Sequence, residues 1–201
     1  MTEIRWHGRG GQGAKTAALL LAEVASEAGL YVQGFPEYGP ERMGAPVLAY
    51  NRVSDQPITL HCHVAHPHIV AVLDPTLVRR EAGERAGAPG SVTEGLGSGG
   101  AIVVNTTASP QEMRARLGLE ERPDLRVATV DASGIALKSL GQAIPNTSML
   151  AAVLKTSGII DFSRFLQAVE PLLRDKFSRK TALVDGNLQA IKAAYAEVRE
   201  G

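Results

Sequence analysis

Apolar residues fall along this chain in short blocks divided by glycine, proline and polar residues, and the blocks alternate between strand-like and helix-like lengths. Glu3-Ile4-Arg5-Trp6-His7 reads as a short strand that runs into Gly8-Arg9-Gly10-Gly11-Gln12-Gly13. From Ala14 to Ala28 the chain is apolar on nearly every face, with Glu23 and Glu27 marking a narrow wet stripe, the pattern of a helix held between layers. Gly29 stands where a helix C-terminus wants a glycine, and Tyr31-Val32-Gln33-Gly34-Phe35 resumes as a strand. Val47 to Val53 reads as a strand, Ser54-Asp55-Gln56-Pro57 as a turn and Ile58-Thr59-Leu60 as a short return strand, together a hairpin. Ile69-Val70-Ala71-Val72-Leu73 and Ala101-Ile102-Val103-Val104 are continuous apolar runs, as central parallel strands buried on both faces require.

Asp74-Pro75-Thr76 and Asp131-Ala132-Ser133 are helix-start signals, Pro110 opens a helix carrying Met113 and Leu117, and Arg126 to Val130 is a further strand. Gly83 to Gly100 is rich in glycine, alanine and serine and reads as an exposed loop with a short helical turn. After Asp131 the spacing is helical throughout, over Thr147–Thr156, Asp161–Val169 and Asn187–Val198. This order predicts one α/β domain over residues 1–201, with three layers, a mostly parallel sheet and a helical C-terminal tail.

The turn after the first strand carries the candidate chemistry. A glycine loop leading into a helix presents backbone amides and the positive end of the helix dipole to an anion, with no side chain in the way. Gly8, Gly10 and Gly13 meet the G-x-G-x-x-G spacing of a Rossmann-like dinucleotide turn, but Tyr31–Phe35 ends without the acidic residue that holds a ribose, and Glu37 lies behind Pro36. Gly8 and Gly13 also bracket four residues as in a P-loop, yet Ala14 stands where the lysine belongs and Lys15 comes one residue late. The competing reading is a tight strand-to-helix turn that binds nothing.

The segment Pro36-Glu37-Tyr38-Gly39-Pro40-Glu41-Arg42-Met43-Gly44-Ala45-Pro46 has three prolines and two glycines and forms no regular element. Its Tyr38, Arg42 and Met43 are of types enriched at interface centres. Asp74 and Asn105 stand at strand carboxyl ends, where open α/β sheets place ligands and where capping is an equal use. Asn146-Thr147 after Pro145 caps a helix, and His7 at the end of its strand is either a proton donor or structural.

The 21 basic and 21 acidic residues cancel, so no electrostatic footprint for nucleic acid or an anionic membrane is present. No apolar run has the length of a membrane span, and the start reads as a strand, so the chain is expected in the cytoplasm. Cys62 is the only cysteine and cannot assemble an iron–sulfur cluster alone. It lies in His61-Cys62-His63-Val64-Ala65-His66-Pro67-His68, where strand geometry would turn it away from His61 and His63 and leave a polar, partly exposed segment rather than a metal site.

Five ordered motifs together carry a family resemblance. His7 to Gly13, Phe35 to Val47, Ser54-Asp55-Gln56-Pro57-Ile58, Leu73-Asp74-Pro75-Thr76-Leu77 and Ile144-Pro145-Asn146-Thr147 resemble the gamma subunit of 2-oxoacid:ferredoxin oxidoreductases, from about Ile4 through the final helix. Gly83 to Gly90 is longer than the family's usual turn, and Tyr38 and Met43 are not its usual residues. The resemblance implies a subunit of an enzyme that decarboxylates a 2-oxoacid on thiamine diphosphate, passes electrons through iron–sulfur clusters to ferredoxin or another acceptor, and transfers the acyl group to coenzyme A. It implies that thiamine diphosphate, Mg²⁺ and the clusters sit on alpha, beta and ferredoxin-like delta subunits, and that this chain binds no cofactor tightly and is inactive alone. It further implies that Gly8, Arg9, Gly10, Gly11, Gln12 and Gly13 contact coenzyme A or a partner, and that Pro36 to Gly44 forms the subunit interface. A free-standing nucleotide-binding or regulatory α/β domain is the alternative function.

Overall fold

The computed structural model of the chain describes residues 1–37, 44–78, 87, 90–178 and 180–201. Among them, β1 (Thr2–Arg9) leads into α1 (Ala14–Glu27), followed by β2 (Tyr31–Pro36), β3 (Pro46–Ser54), β4 (Ile69–Val72), β5 (Ala101–Asn105), α2 (Pro110–Leu117), β6 (Arg126–Val130), α3 (Ala132–Leu140), α4 (Asn146–Ser157), α5 (Phe162–Lys176), α6 (Thr181–Glu197) and β7 (Arg199–Glu200). The strands form one seven-stranded sheet in the order β2-β3-β1-β4-β5-β6-β7. Five strands run one way, with β3 and β7 opposed to them, because β3 is antiparallel to both β1 and β2, and β7 to β6.

One hairpin expectation is overturned. Residues 58–60 form no strand, and β3 pairs with β2 on one edge and β1 on the other. Both hydrogen-bonding edges of β3 are therefore taken, and a return strand after the 54–57 turn cannot fold back onto it. The region after residue 90 also differs from a plain exposed loop: Val92 and Leu96 are buried beneath α2 with Met113 and Leu117. β7 had no sequence signal, since two polar residues carry no pattern.

Helices cover the two faces of the sheet unequally. On one face α1 lies over β1–β3 and α4 over β4–β6, and α5 and α6 pack outside them on α1, α3 and α4. Leu21, Val24 and Ala25 of α1, nearly all of α4, and Ile4, Trp6, Ala71 and Val103 of the sheet fuse into the main core. Trp6 is fully buried, and its indole N–H donates to Asn51 Oδ1 at 2.8 Å. On the other face α2 covers only the β4–β6 half, through a second core of Val70, Val72, Ile102, Val104 and Val127. Among the described residues no helix covers the β1–β3 half of that face, which carries Glu3, Arg5, His7 and Arg9 beside Tyr50 and Arg52.

Candidate functional site

The glycine loop joins β1 to α1 at the carboxyl ends of the parallel strands, the side on which open α/β sheets hold ligands. Gly11 and Gly13 adopt φ of +96° and +85°, in the left-handed region that side chains resist. Gly13 is the N-cap of α1 and supplies no side chain to the helix amides, and a Cβ there would stand 2.9 Å from Asn146 Cβ. A Cβ at Gly11 would meet nothing within 4 Å, so its backbone faces open space. A cavity of about 440 Å³ lies against this turn, lined by Gly10, Gly11, Lys15 and Thr16 on one side and by Pro36, Val47 and Leu48 on the other.

The loop is braced by side chains from both of its neighbours. Gln12 Oε1 accepts from the Arg9 amide at 2.8 Å, and Gln12 Nε2 donates to Asp74 Oδ2 at 2.7 Å. Asp74 Oδ1 accepts from the Thr76 amide at 2.9 Å, capping the 3₁₀ turn Pro75–Leu77, and its Oδ2 stands 3.1 Å from Arg9 Nε. Burial alone would raise the Asp74 carboxyl, but hydrogen bonds from Thr76 and Gln12 and the charge of Arg9 outweigh it and hold the group below the usual carboxylate range. Arg9 also donates to Thr76 Oγ1 at 2.9 Å and to the Gly44 carbonyl at 3.1 Å. Two backbone hydrogen bonds, Gly10 N to Ala45 O at 2.9 Å and Gly44 N to Gly10 O at 3.2 Å, tie the loop to the start of β3.

The structure thus brings Gly8 through Gly13 together with Asp74, and places Asn146 against Gly13 where α4 begins. Asn105 is elsewhere employed: its Nδ2 donates to Leu73 O and Ser133 Oγ, and its Oδ1 accepts from the Ser133 amide, stapling β4 to the start of α3. Of the proposed interface segment, Pro36 ends β2, the Glu37 amide donates to Leu48 O at 3.0 Å, and Gly44 holds the contacts with Arg9 and Gly10. Tyr38, Gly39, Pro40, Glu41, Arg42 and Met43 lie outside the described residues. The missing ribose acid has a structural reason. β3 fills the place beside β1 that the second strand of a dinucleotide fold takes, and Glu37 accepts a short hydrogen bond from Tyr50.

A second cavity, of about 630 Å³, lies over the β1–β3 half of the sheet on the face opposite α1 and was not anticipated. Its floor is Arg5 and His7 of β1 beside Leu48 and Tyr50 of β3, and Val64 and Val92 stand among its walls. His7 Nε2 accepts from Arg5 Nε at 2.9 Å, and burial first, then the Arg5 charge, push the imidazole down to about 3, so it is neutral with its proton on Nδ1. Burial raises the Tyr50 phenol, with the hydrogen bond to Glu37 adding to it. The signal that could have revealed this face was the alternation Glu3, Arg5, His7, Arg9 against Ile4, Trp6, Gly8, a strand with one wet side. The segment 61–66 crosses nearby without regular structure, Cys62 is exposed, and among the described residues no three His, Cys, Asp or Glu side chains gather as metal ligands.

The family model for pyruvate ferredoxin/flavodoxin oxidoreductase matches residues 3–197. The chain belongs to that family. It is 40% identical over 197 residues to the pyruvate synthase subunit PorC of Thermotoga maritima, covering 98% of this chain and 94% of that one. To the common gamma subunit of pyruvate and ketoisovalerate oxidoreductases of Thermococcus kodakarensis it is 43% identical over 195 residues, covering 97% and 96%. The crystal structure of the Thermotoga PorC superposes with a TM-score of 0.82 at 38% identity, over 100% of this chain and 98% of that one. The 2-oxoglutarate:ferredoxin oxidoreductase of Magnetococcus marinus shares the fold, with a TM-score of 0.70 at 20% identity over 97% of this chain and 30% of that one. The protein is thus a gamma-type subunit of a multi-subunit 2-oxoacid oxidoreductase, and the free-standing alternative falls away. No helix among the described residues is long and apolar enough to cross a membrane.

Proposed function

We propose that this gamma subunit supplies the coenzyme A contact of its oxidoreductase, receiving the phosphates at the glycine loop and the start of α1. The observation that carries the reading is the turn at Gly11 and Gly13: positive φ turns the backbone outward, no side chain caps α1, and the adjoining cavity combines Lys15 and Thr16 with the apolar Pro36, Val47 and Leu48. Amides at a helix start suit a phosphate, and an apolar wall opposite suits the arm that follows it. The oxidoreductase of Magnetococcus marinus that shares this fold was solved with coenzyme A and succinyl-CoA bound. In this reading the segment 36–44 docks on alpha and beta subunits bearing thiamine diphosphate and Mg²⁺, clusters reside there and on a ferredoxin-like delta subunit, and the complex works in the cytoplasm.

The test is Gly11→Ala in the assembled enzyme, because its Cβ enters open space rather than the fold. The KM for coenzyme A should rise while 2-oxoacid decarboxylation measured by CO₂ exchange holds its rate. Assembled enzyme with wild-type coenzyme A kinetics would overturn the reading.

A further inference from the structure

Three arginines share the β1–β3 half of the sheet on the face opposite α1, and their partners differ. Arg52 is 1% exposed and has its Nε 2.8 Å from Glu3 Oε1. Arg9, at the rim, has its Nε 3.1 Å from Asp74 Oδ2. Arg5 is 6% exposed and, among the described residues, no carboxylate stands within ion-pair distance of it. Its guanidinium donates to His7 Nε2, Val92 O and Glu94 O, which are all uncharged acceptors, and none of these contacts uses Nη1. Burial lowers its affinity for the proton, with Tyr50 and Glu94 offsetting only part of that. Among the described residues the guanidinium meets only neutral hydrogen-bond acceptors, a costly setting for a buried cation that the nearby Glu94 charge relieves only in part, and it lines the cavity of about 630 Å³.

We propose that this chamber is a binding site for a small monocarboxylate with a short apolar tail, its carboxylate held by Arg5 and by the Nδ1–H of His7. A guanidinium matches a carboxylate in planar geometry, and a neutral imidazole whose Nε2 is already occupied offers one further donor. Val64, Leu48, Leu77 and Val92 supply the apolar walls for the tail. Glu37 and Glu94 also line the chamber, and their charges disfavour a dianion, which selects a carboxylate over a phosphate. The volume lies within the range of small-molecule pockets. The site is on the sheet face opposite α1 and goes beyond the coenzyme A reading, on which it does not depend.

Calorimetric titration of the full chain, at constant chloride, with sodium butyrate, sodium acetate and inorganic phosphate tests the proposal. Butyrate should bind, acetate more weakly and phosphate not at all. Arg5→Met should weaken butyrate roughly tenfold to a hundredfold, the worth of a charge-assisted hydrogen bond. Because Arg5 also holds two carbonyls, a second variant, Leu77→Trp, enlarges a lining residue on a partly exposed 3₁₀ turn and should abolish binding in a folded chain. No heat with butyrate, equal affinity for phosphate, or undiminished binding in either folded variant would overturn it.

Discussion

The two sides of β1 obey different rules. Ile4 and Trp6 point into a core closed by α1, where the Trp6 indole N–H has a fixed partner in Asn51, while Arg5, His7 and Arg9 one residue away look onto a face that no helix of the described residues covers. The apolar side stabilises the subunit through burial, and the polar side holds charges and cavities at a cost that the proposed binding would offset. A single strand thus divides the labour between folding and recognition, and substitutions on its two sides should separate those roles.

The largest effect is expected from Trp6→Ala. Removing a fully buried indole should cost about 3–5 kcal/mol, and the loss strands Asn51 Oδ1 beside a cavity. Urea unfolding of the subunit measures it, and a cost under 1 kcal/mol would contradict the packing described. Gly13→Ala should come next, at roughly 2–4 kcal/mol from left-handed backbone strain and overpacking together, since its Cβ meets Asn146 at 2.9 Å. Thermal unfolding checks this, and Gly11→Ala, with open space before it, should lose distinctly less.

At neutral pH the smallest effect concerns His7, and it is read against pH. The folded imidazole titrates at about 3, below its ordinary 6.5, so between those values the unfolded chain binds a proton that the folded chain refuses. Stability therefore declines as pH falls from 6.5 toward 3, and the decline is absent above 6.5. His7→Gln keeps an acceptor for Arg5 and should flatten the urea midpoint across that window relative to wild type. Parallel profiles would mean that the imidazole is open to solvent.

Much of the architecture could be read before the structure was known. The apolar runs of β4 and β5, the helix 14–28 with its glycine at residue 29, the Pro110 start of α2 and the Asp131 cap all rest on local chemistry, and each signal lies within a few residues of the element it sets. The failures are non-local. Nothing in 58–60 reveals that β3 has spent both edges, and nothing in Arg199–Glu200 reveals that β6 offers one. For the candidate site, the glycine loop was legible as a motif, but the bracing of Gln12 by Asp74 spans 62 positions. The Arg5 chamber was hidden for the same reason, since Val92 and Glu94 reach it from 87 and 89 positions away.

The insertion of β3 between β2 and β1 also sets an order of events during synthesis. A nascent chain that has emerged only as far as Pro36 holds the first strand, its helix and the second strand, but the two strands have no contact with each other in the finished sheet. They can be joined only when the strand ending at Ser54 has arrived between them, so the amino-terminal third must wait for its own middle. Ribosome-stalled chains whose emerged part reaches only to about residue 36 should therefore be as protease-sensitive as an unfolded polypeptide, with protection beginning only after Ser54 clears the exit tunnel.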